Sequence, residues 1–175
     1  MPRRINLRRD ISIATWNVQS LYQAGKLQCS NEINRPGISV LGIAEARWTG
    51  SGHFTAASGE LVIYSGGTTH QAGVAVILAD HVKASVIGYK TISDRLLYVQ
   101  IRASPYNISL CQVYAPTALV ADTEMDDFYG QLQQEIDNVP SQDVLFITGD
   151  FNAKVGQEVQ ESGVGGHYGL GCRNA

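Results

Sequence analysis

Apolar residues in this chain gather in short, strand-length runs separated by turn-forming stretches. Ile11-Ser12-Ile13-Ala14-Thr15-Trp16 is β-branched and alternating, and predicts a strand that stops at Asn17. Residues 21–34 form a short, weak helix candidate closed by Pro36-Gly37. Ile38 to Ala44 is too short for a typical helix, so it predicts a buried strand ended by Glu45. Trp48 to Gly59 is rich in Gly, Ser and Thr and predicts loop.

Leu61–Tyr64 and Gly73–Leu78 follow as two strands, with Gly66 to His70 as turn material between them. Leu96–Ile101 and Ile108–Tyr114 make a second pair, joined by Ser104-Pro105-Tyr106-Asn107 in hairpin fashion. One strong helix is predicted over 124–138, with Thr123 as N-cap and Asp126 in the reciprocal position. Met125, Phe128, Leu132, Ile136 and Val139 give it one apolar face. After Pro140, Val144–Thr148 predicts another buried strand, ending at Gly149-Asp150-Phe151-Asn152. Beyond Ala153 the chain is Gly-rich and patternless. The sum is about seven strands and one or two helices, and the late strand–helix–strand unit points to a mixed sheet in an α/β layered fold.

Length fits one domain. A chain of 175 residues buries roughly 70% of its unfolded surface. With 44% hydrophobic residues it is not a disordered chain. No apolar run approaches the ~18 residues of a spanning helix, so no membrane span is expected. The basic start MPRRINLRRDI lacks an apolar region of secretory type, so no signal peptide is expected.

Charge changes the picture. Net charge is −3, but Arg3, Arg4, Arg8 and Arg9 crowd the first nine positions. Without those four, nine basic residues face sixteen acidic ones, a net −7. Residues 1–10 therefore read as a basic arm that can touch nucleic acid, serve as a nuclear-localisation patch or simply be solvated, on an acidic body at 11–175. Such a body does not hold nucleic acid by bulk charge; local geometry or a metal ion must offset the repulsion. Cys29, Cys111 and Cys172 are odd in number and widely spaced, which suits reduced thiols rather than a disulfide framework or a zinc site. Together with the missing export signal, this suggests a nuclear or cytoplasmic location.

Asn17, Glu45, Tyr114 and Asp150 each lie at or near the end of an apolar strand, and Asn152 follows Asp150 closely. Ligands of layered α/β folds collect beyond such strand ends. Glu45 offers a hard oxygen ligand for Mg²⁺, which needs only one or two protein carboxylates. Asn17 and Asn152 can orient water or donate to a phosphoryl oxygen without adding charge. Asp150 can move a proton, and Tyr114 can donate to phosphate. Each also has a plain structural role open to it: an Asx turn for Asn17, pairing with Arg47 for Glu45, a tight turn for Asp150 and Asn152, a half-buried strand position for Tyr114.

TWNVQSL around Asn17, GIAEARWTG around Glu45, VYAPT around Tyr114 and GDFNAKVG around Asp150 occur in that order. Together they resemble the endonuclease/exonuclease/phosphatase superfamily. The wording is most similar to the endonuclease domains of non-LTR (LINE-type) retrotransposons and to the craniofacial development protein 2-like proteins derived from them. The resemblance implies a four-layer α/β sandwich of two mixed β-sheets with outer helices. It implies Mg²⁺- or Mn²⁺-dependent phosphodiester hydrolysis on the DNA phosphate backbone; no obligate protein partner is evident in the sequence. By motif, Glu45 would hold the metal with Asn17 beside it. Tyr114 would contact the scissile phosphate, Asp150 would assist proton transfer, and Asn152 would orient phosphate and nucleophile.

Family members end in a Ser-Asp-His-like motif on a late strand, which these 175 residues lack. The expectation is a domain with an incomplete second sheet, weakly active or inactive and prone to aggregate. His53, His70 and His81 fall in or beside loops, and His167 in Gly165-Gly166-His167-Tyr168-Gly169 resembles a family loop rather than the missing motif. Two other functions stay open: a non-catalytic nucleic-acid- or protein-binding remnant, and a phosphatase of the same superfamily.

Overall fold

A computed structural model describes residues 4–6, 11–21 and 37–154. The helix candidate at 21–34, apart from Leu21, lies outside them, as do His167, Cys29, Cys172, Arg3, Arg8 and Arg9. The described residues form eleven strands and two helices: β1 (Ile5–Asn6), β2 (Ile13–Asn17), β3 (Val40–Ala44), β4 (Ser51–Thr55), β5 (Leu61–Ser65), β6 (Val74–Leu78), α1 (Asp80–Lys83), β7 (Val86–Ser93), β8 (Leu96–Ile101), β9 (Ala103–Ser104), β10 (Ile108–Tyr114), α2 (Asp122–Asp137) and β11 (Val144–Asp150).

The larger sheet has five strands in the order β2-β3-β6-β5-β4. Only β2 and β3 run parallel; the other neighbours are antiparallel. β3 (VLGIA) is buried at every position, because it lies between two strands and is covered on both faces. The smaller sheet has the order β11-β10-β8-β7, and again only its edge pair, β10 and β11, is parallel. The sheets pack face to face: Val40, Ile63 and Val76 of one share a core with Leu97, Val99, Ile108 and Leu110 of the other.

Strand alternation sends the intervening residues outward. Leu96, Tyr98, Cys111 and Val113 meet Phe128 and Leu132 of α2 on the outer face of the smaller sheet. Burying two such helical side chains stabilises this layer by about 1.5–3 kcal/mol each. Two mixed sheets and one outer helical layer thus realise the α/β sandwich within the described residues. No helix among them is long and apolar enough to cross a membrane. A small parallel pair, β1 with β9, ties residues 5–6 of the basic arm to the body.

The structure corrects several sequence expectations. Ser51–Thr55, inside the stretch expected to be loop, forms β4, and Val86–Ser93 forms an unforeseen strand, β7. Both are sheet edges, β4 exposed at four of its five residues and β7 partly exposed along its length, so neither carries a two-faced hydrophobic pattern. Helix α2 starts at Asp122, and its N-cap Ala121 makes no side-chain bond, so Thr123 lies in the first turn instead of capping it. Asp122 and Glu124 complement the helix dipole there.

Candidate functional site

The two parallel strand pairs end at the same mouth of the sandwich. Asn17 pairs with Ala44 at the last register position of β2 and β3, and Tyr114 pairs with Asp150 at the last position of β10 and β11. The mouth is bridged directly: Asn17 Nδ2 donates to Asp150 Oδ2 at 2.7 Å, across 133 residues of sequence. The same asparagine's Oδ1 accepts from the Gln19 amide at 3.0 Å, an Asx turn that fixes its rotamer.

Beneath this bridge lies a second polar link. Thr148 Oγ1 donates to Gln112 Oε1 at 2.7 Å, and Gln112 Nε2 donates to Thr15 Oγ1 at 3.4 Å. Gln112 is fully buried, and it fits because Gly42 faces it: a Cβ there would stand 1.8 Å from Gln112 Oε1. A second glycine is needed just before Asp150. Gly149 has φ +141°, and a Cβ on it would lie 2.0 Å from the Val113 carbonyl oxygen. The glycine in the GDFN sequence thus lets β11 lie against β10 as it delivers Asp150 to the mouth.

Glu45 follows β3 directly in a left-handed backbone conformation, φ +60°, and Arg47 adopts φ +58°. Such conformations in non-glycine residues persist when surrounding contacts over-determine them. Here Ala46 N–H donates to the Gly73 carbonyl and Arg47 N–H to the Ala72 carbonyl, both at 2.8 Å. The Arg47 guanidinium returns to Glu45, donating from Nη2 and, at 3.2 Å, from Nε to the same oxygen, Oε1. The carboxylate is only 14% exposed, so a cation beside it offsets its desolvation.

Asp150 is held by neutral donors instead. Its Oδ1 accepts the Asn152 backbone N–H at 2.9 Å while Oδ2 takes Asn17. Asn152 sits at φ +48° and anchors itself by donating from Nδ2 to the Ala115 carbonyl at 2.7 Å.

Tyr114 is half-buried, and burial pushes its phenol above the ordinary tyrosine range. The negative charges of Glu45 and Asp150 push the same way, against Arg95 and a hydrogen bond from Asn152. Tyr114 and Asp150 are register partners across β10 and β11. Arg95 stacks its guanidinium 5.3 Å from the Tyr114 ring centre.

The structure therefore gathers Asn17, Glu45, Tyr114, Asp150 and Asn152 around one mouth. The arrangement offers two carboxylates of unlike surroundings, a phenol that stays protonated at neutral pH, and two amides. Among the described residues no group of three or more His, Cys, Asp or Glu is disposed to hold a metal. Two carboxylates with neutral oxygen donors still suit Mg²⁺, which keeps several waters. Arg47 was read from the sequence as a pairing partner of Glu45, and the structure forms that pair; Arg95, Gln112 and Gly42 were not singled out.

The sequence of residues 14–159 matches the Endonuclease/Exonuclease/phosphatase family. The chain belongs to this family. It is 39% identical over 170 residues to craniofacial development protein 2 from Bos taurus, covering 95% of this chain and 28% of that protein. The chain thus spans under a third of the curated relative's length. Among solved structures, D. rerio TDP2 complexed with a single-strand DNA product is similar at a TM-score of 0.59 and 17% identity, over 87% of this chain and 64% of that one. The endonuclease domain of TRAS1, a telomere-specific non-LTR retrotransposon, gives 0.59 and 18%, over 83% and 62%. At such identities the structural likeness speaks for the shared sandwich fold.

Proposed function

We propose that this member of the family is a divalent-metal-dependent phosphodiesterase that cleaves DNA, an endonuclease of the retrotransposon type. The observation that carries it is the Asn17–Asp150 hydrogen bond. It locks the ends of two separate sheets into one polar mouth containing both carboxylates and Tyr114. The D. rerio TDP2 structure with a DNA product and the TRAS1 endonuclease domain, both of this fold, support DNA as the substrate class.

Each residue has a task that follows from its surroundings. Glu45 would hold Mg²⁺ or Mn²⁺, with Asn17 beside it; its pairing with the Arg47 guanidinium supports a carboxylate that takes a positive charge. When bound, the ion supplies Lewis-acid polarisation of a phosphoryl oxygen and offsets charge in the transition state. Asp150, fixed by Asn17 and the Asn152 amide, keeps spare lone pairs with which to take a proton from an attacking water. Tyr114 keeps its proton and donates to a phosphate oxygen. Asn152 positions the Tyr114 hydroxyl and, through its backbone, Asp150.

Supercoiled-plasmid nicking in Mg²⁺ tests this. Glu45→Ala and Asp150→Ala should each lose about 10²–10⁴ of the nicking rate. Nicking at the wild-type rate by both variants would refute the assignment. Turnover confined to small phosphate monoesters would replace it with a phosphatase.

A further inference from the structure

Next to this mouth lies an aromatic pocket that the proposed chemistry does not use. Trp48, Thr49, Phe54, Tyr64 and His70 line a cavity of about 290 Å³. Its rings are mutually edge-on or tilted: Trp48 to Tyr64 at 5.5 Å and 87°, Trp48 to Phe54 at 5.9 Å and 53°, Phe54 to Tyr64 at 6.2 Å and 61°. Pockets for drug-sized ligands run from about 300 to 1,000 Å³, so this one suits a single flat ring system.

The pocket is built, and it is joined to the mouth. Gly66 presses against the Trp48 backbone so closely that a Cβ would stand 1.8 Å from the Trp48 carbonyl oxygen. Trp48 Nε1 donates to the Leu21 carbonyl at 3.4 Å. Arg47 spans both places. Its guanidinium binds Glu45, while its carbonyl oxygen accepts from His70 Nδ1 at 2.7 Å, which fixes the Nδ1–H tautomer of that pocket residue. Two residues, Ala46 and Arg47, separate Glu45 from Trp48, and three residue steps span at most about 10 Å.

We propose that the Trp48–Phe54–Tyr64 pocket receives an unpaired nucleobase of the DNA strand, on a nucleotide flanking the phosphate held at the Glu45–Asp150 mouth. This rests on the reading of that mouth as a DNA phosphodiesterase site. The body outside the basic arm is net −6, nine basic against fifteen acidic residues, so bulk charge does not hold the strand. Stacking on aromatic faces supplies affinity independent of net charge, and it tolerates any base because every base has a π-face. Phe54, 36% exposed, is the most exposed of the three rings.

The test is binding of a short fluorescein-labelled single-stranded DNA in EDTA, where metal-dependent turnover is absent, against the same strand with abasic positions. The wild-type chain should bind the base-bearing strand about fivefold to a hundredfold more tightly. Phe54→Leu keeps the apolar bulk and removes the π-face, so the ratio should fall towards one; Phe54→Trp should restore it. In a Trp16→Phe background Trp48 is the sole indole, and its emission should be quenched by the base-bearing strand alone. An unchanged ratio in Phe54→Leu with an unaltered melting temperature, or failure of the wild type to bind either strand, overturns the inference. Nicking without base preference removes the pocket and leaves the endonuclease. Base preference that depends on Phe54, in a chain that never nicks, removes the endonuclease and leaves the pocket.

Discussion

The two parallel strand pairs are built alike and finished differently. Each is the edge pair of its sheet, and each delivers one carboxylate and one neutral hydrogen-bonding side chain to the same mouth. Glu45 sits behind the inner strand β3 and is balanced by the Arg47 guanidinium. Asp150 ends the edge strand β11 and is held by an amide side chain and a backbone N–H. In the proposed function Glu45 would exchange the Arg47 guanidinium for a metal. Asp150, whose direction is fixed by neutral donors, would be the proton acceptor in that proposed function. In cover the two pairs are alike, with β10 buried at six of its seven residues. β3 is wholly buried, whereas Val144, Phe146 and Ile147 on β11, and Trp16 on β2, stay exposed.

The contrast can be broken most severely at Gly149. Gly149→Ala drives a Cβ into the Val113 carbonyl at a backbone conformation that alanine avoids, so we expect a loss of roughly 3 kcal/mol or more, read as a lower urea midpoint. Gly42→Ala pushes on the far end of the Gln112 side chain and should cost about 1–3 kcal/mol. Most of that should return in Gly42→Ala/Gln112→Ala; a double variant weaker than both singles would remove Gln112 from the account.

The two carboxylates should then respond oppositely when their partners are cut. Asn17→Ala releases Asp150 and should lower kcat by about 10- to 100-fold, with little change in the metal concentration for half-maximal rate. Arg47→Ala removes the competing cation and should lower that metal concentration a few-fold. A metal requirement that moves in Asn17→Ala and stays fixed in Arg47→Ala would invert the assignment.

A smaller effect separates the outer face from the mouth. Burial pushes the Cys111 thiol from 9.0 to about 11, with Glu135 adding to the shift. The folded state therefore holds this proton more tightly than the unfolded chain does. The resulting stability is complete below about pH 9 and is lost as pH rises towards 11, a fall of about 2–3 kcal/mol. Cys111→Ala should show a shallower alkaline decline in melting temperature; an identical slope would place the titration elsewhere.

Much of the site could be read in the sequence because it is written at strand ends. Asn17, Glu45, Tyr114 and Asp150 each follow an apolar run that has to be a strand, and the structure brings all four together. Helix α2 was equally legible, since Phe128 and Leu132 form a stripe that only packing against a sheet explains. Polar edge strands were not: SGHFT and VIGYKTIS lack the alternation that marks a half-buried strand. Gly42 with Gln112 was invisible for another reason. Their fit exists only once two sheets face each other, 70 residues apart in sequence, and local pattern carries no trace of it. Glu45 beside Arg47 was legible as an ion pair, yet its plain structural role and its proposed metal role are compatible.

The central claim is that Glu45 is the metal-binding carboxylate and Asp150 the proton-handling one. Mn²⁺ binding followed by electron paramagnetic resonance, with no substrate present, addresses it most directly. The account predicts one bound Mn²⁺ per chain in the wild type, retained in Asp150→Asn and lost in Glu45→Gln. Retention in Glu45→Gln with loss in Asp150→Asn would contradict it.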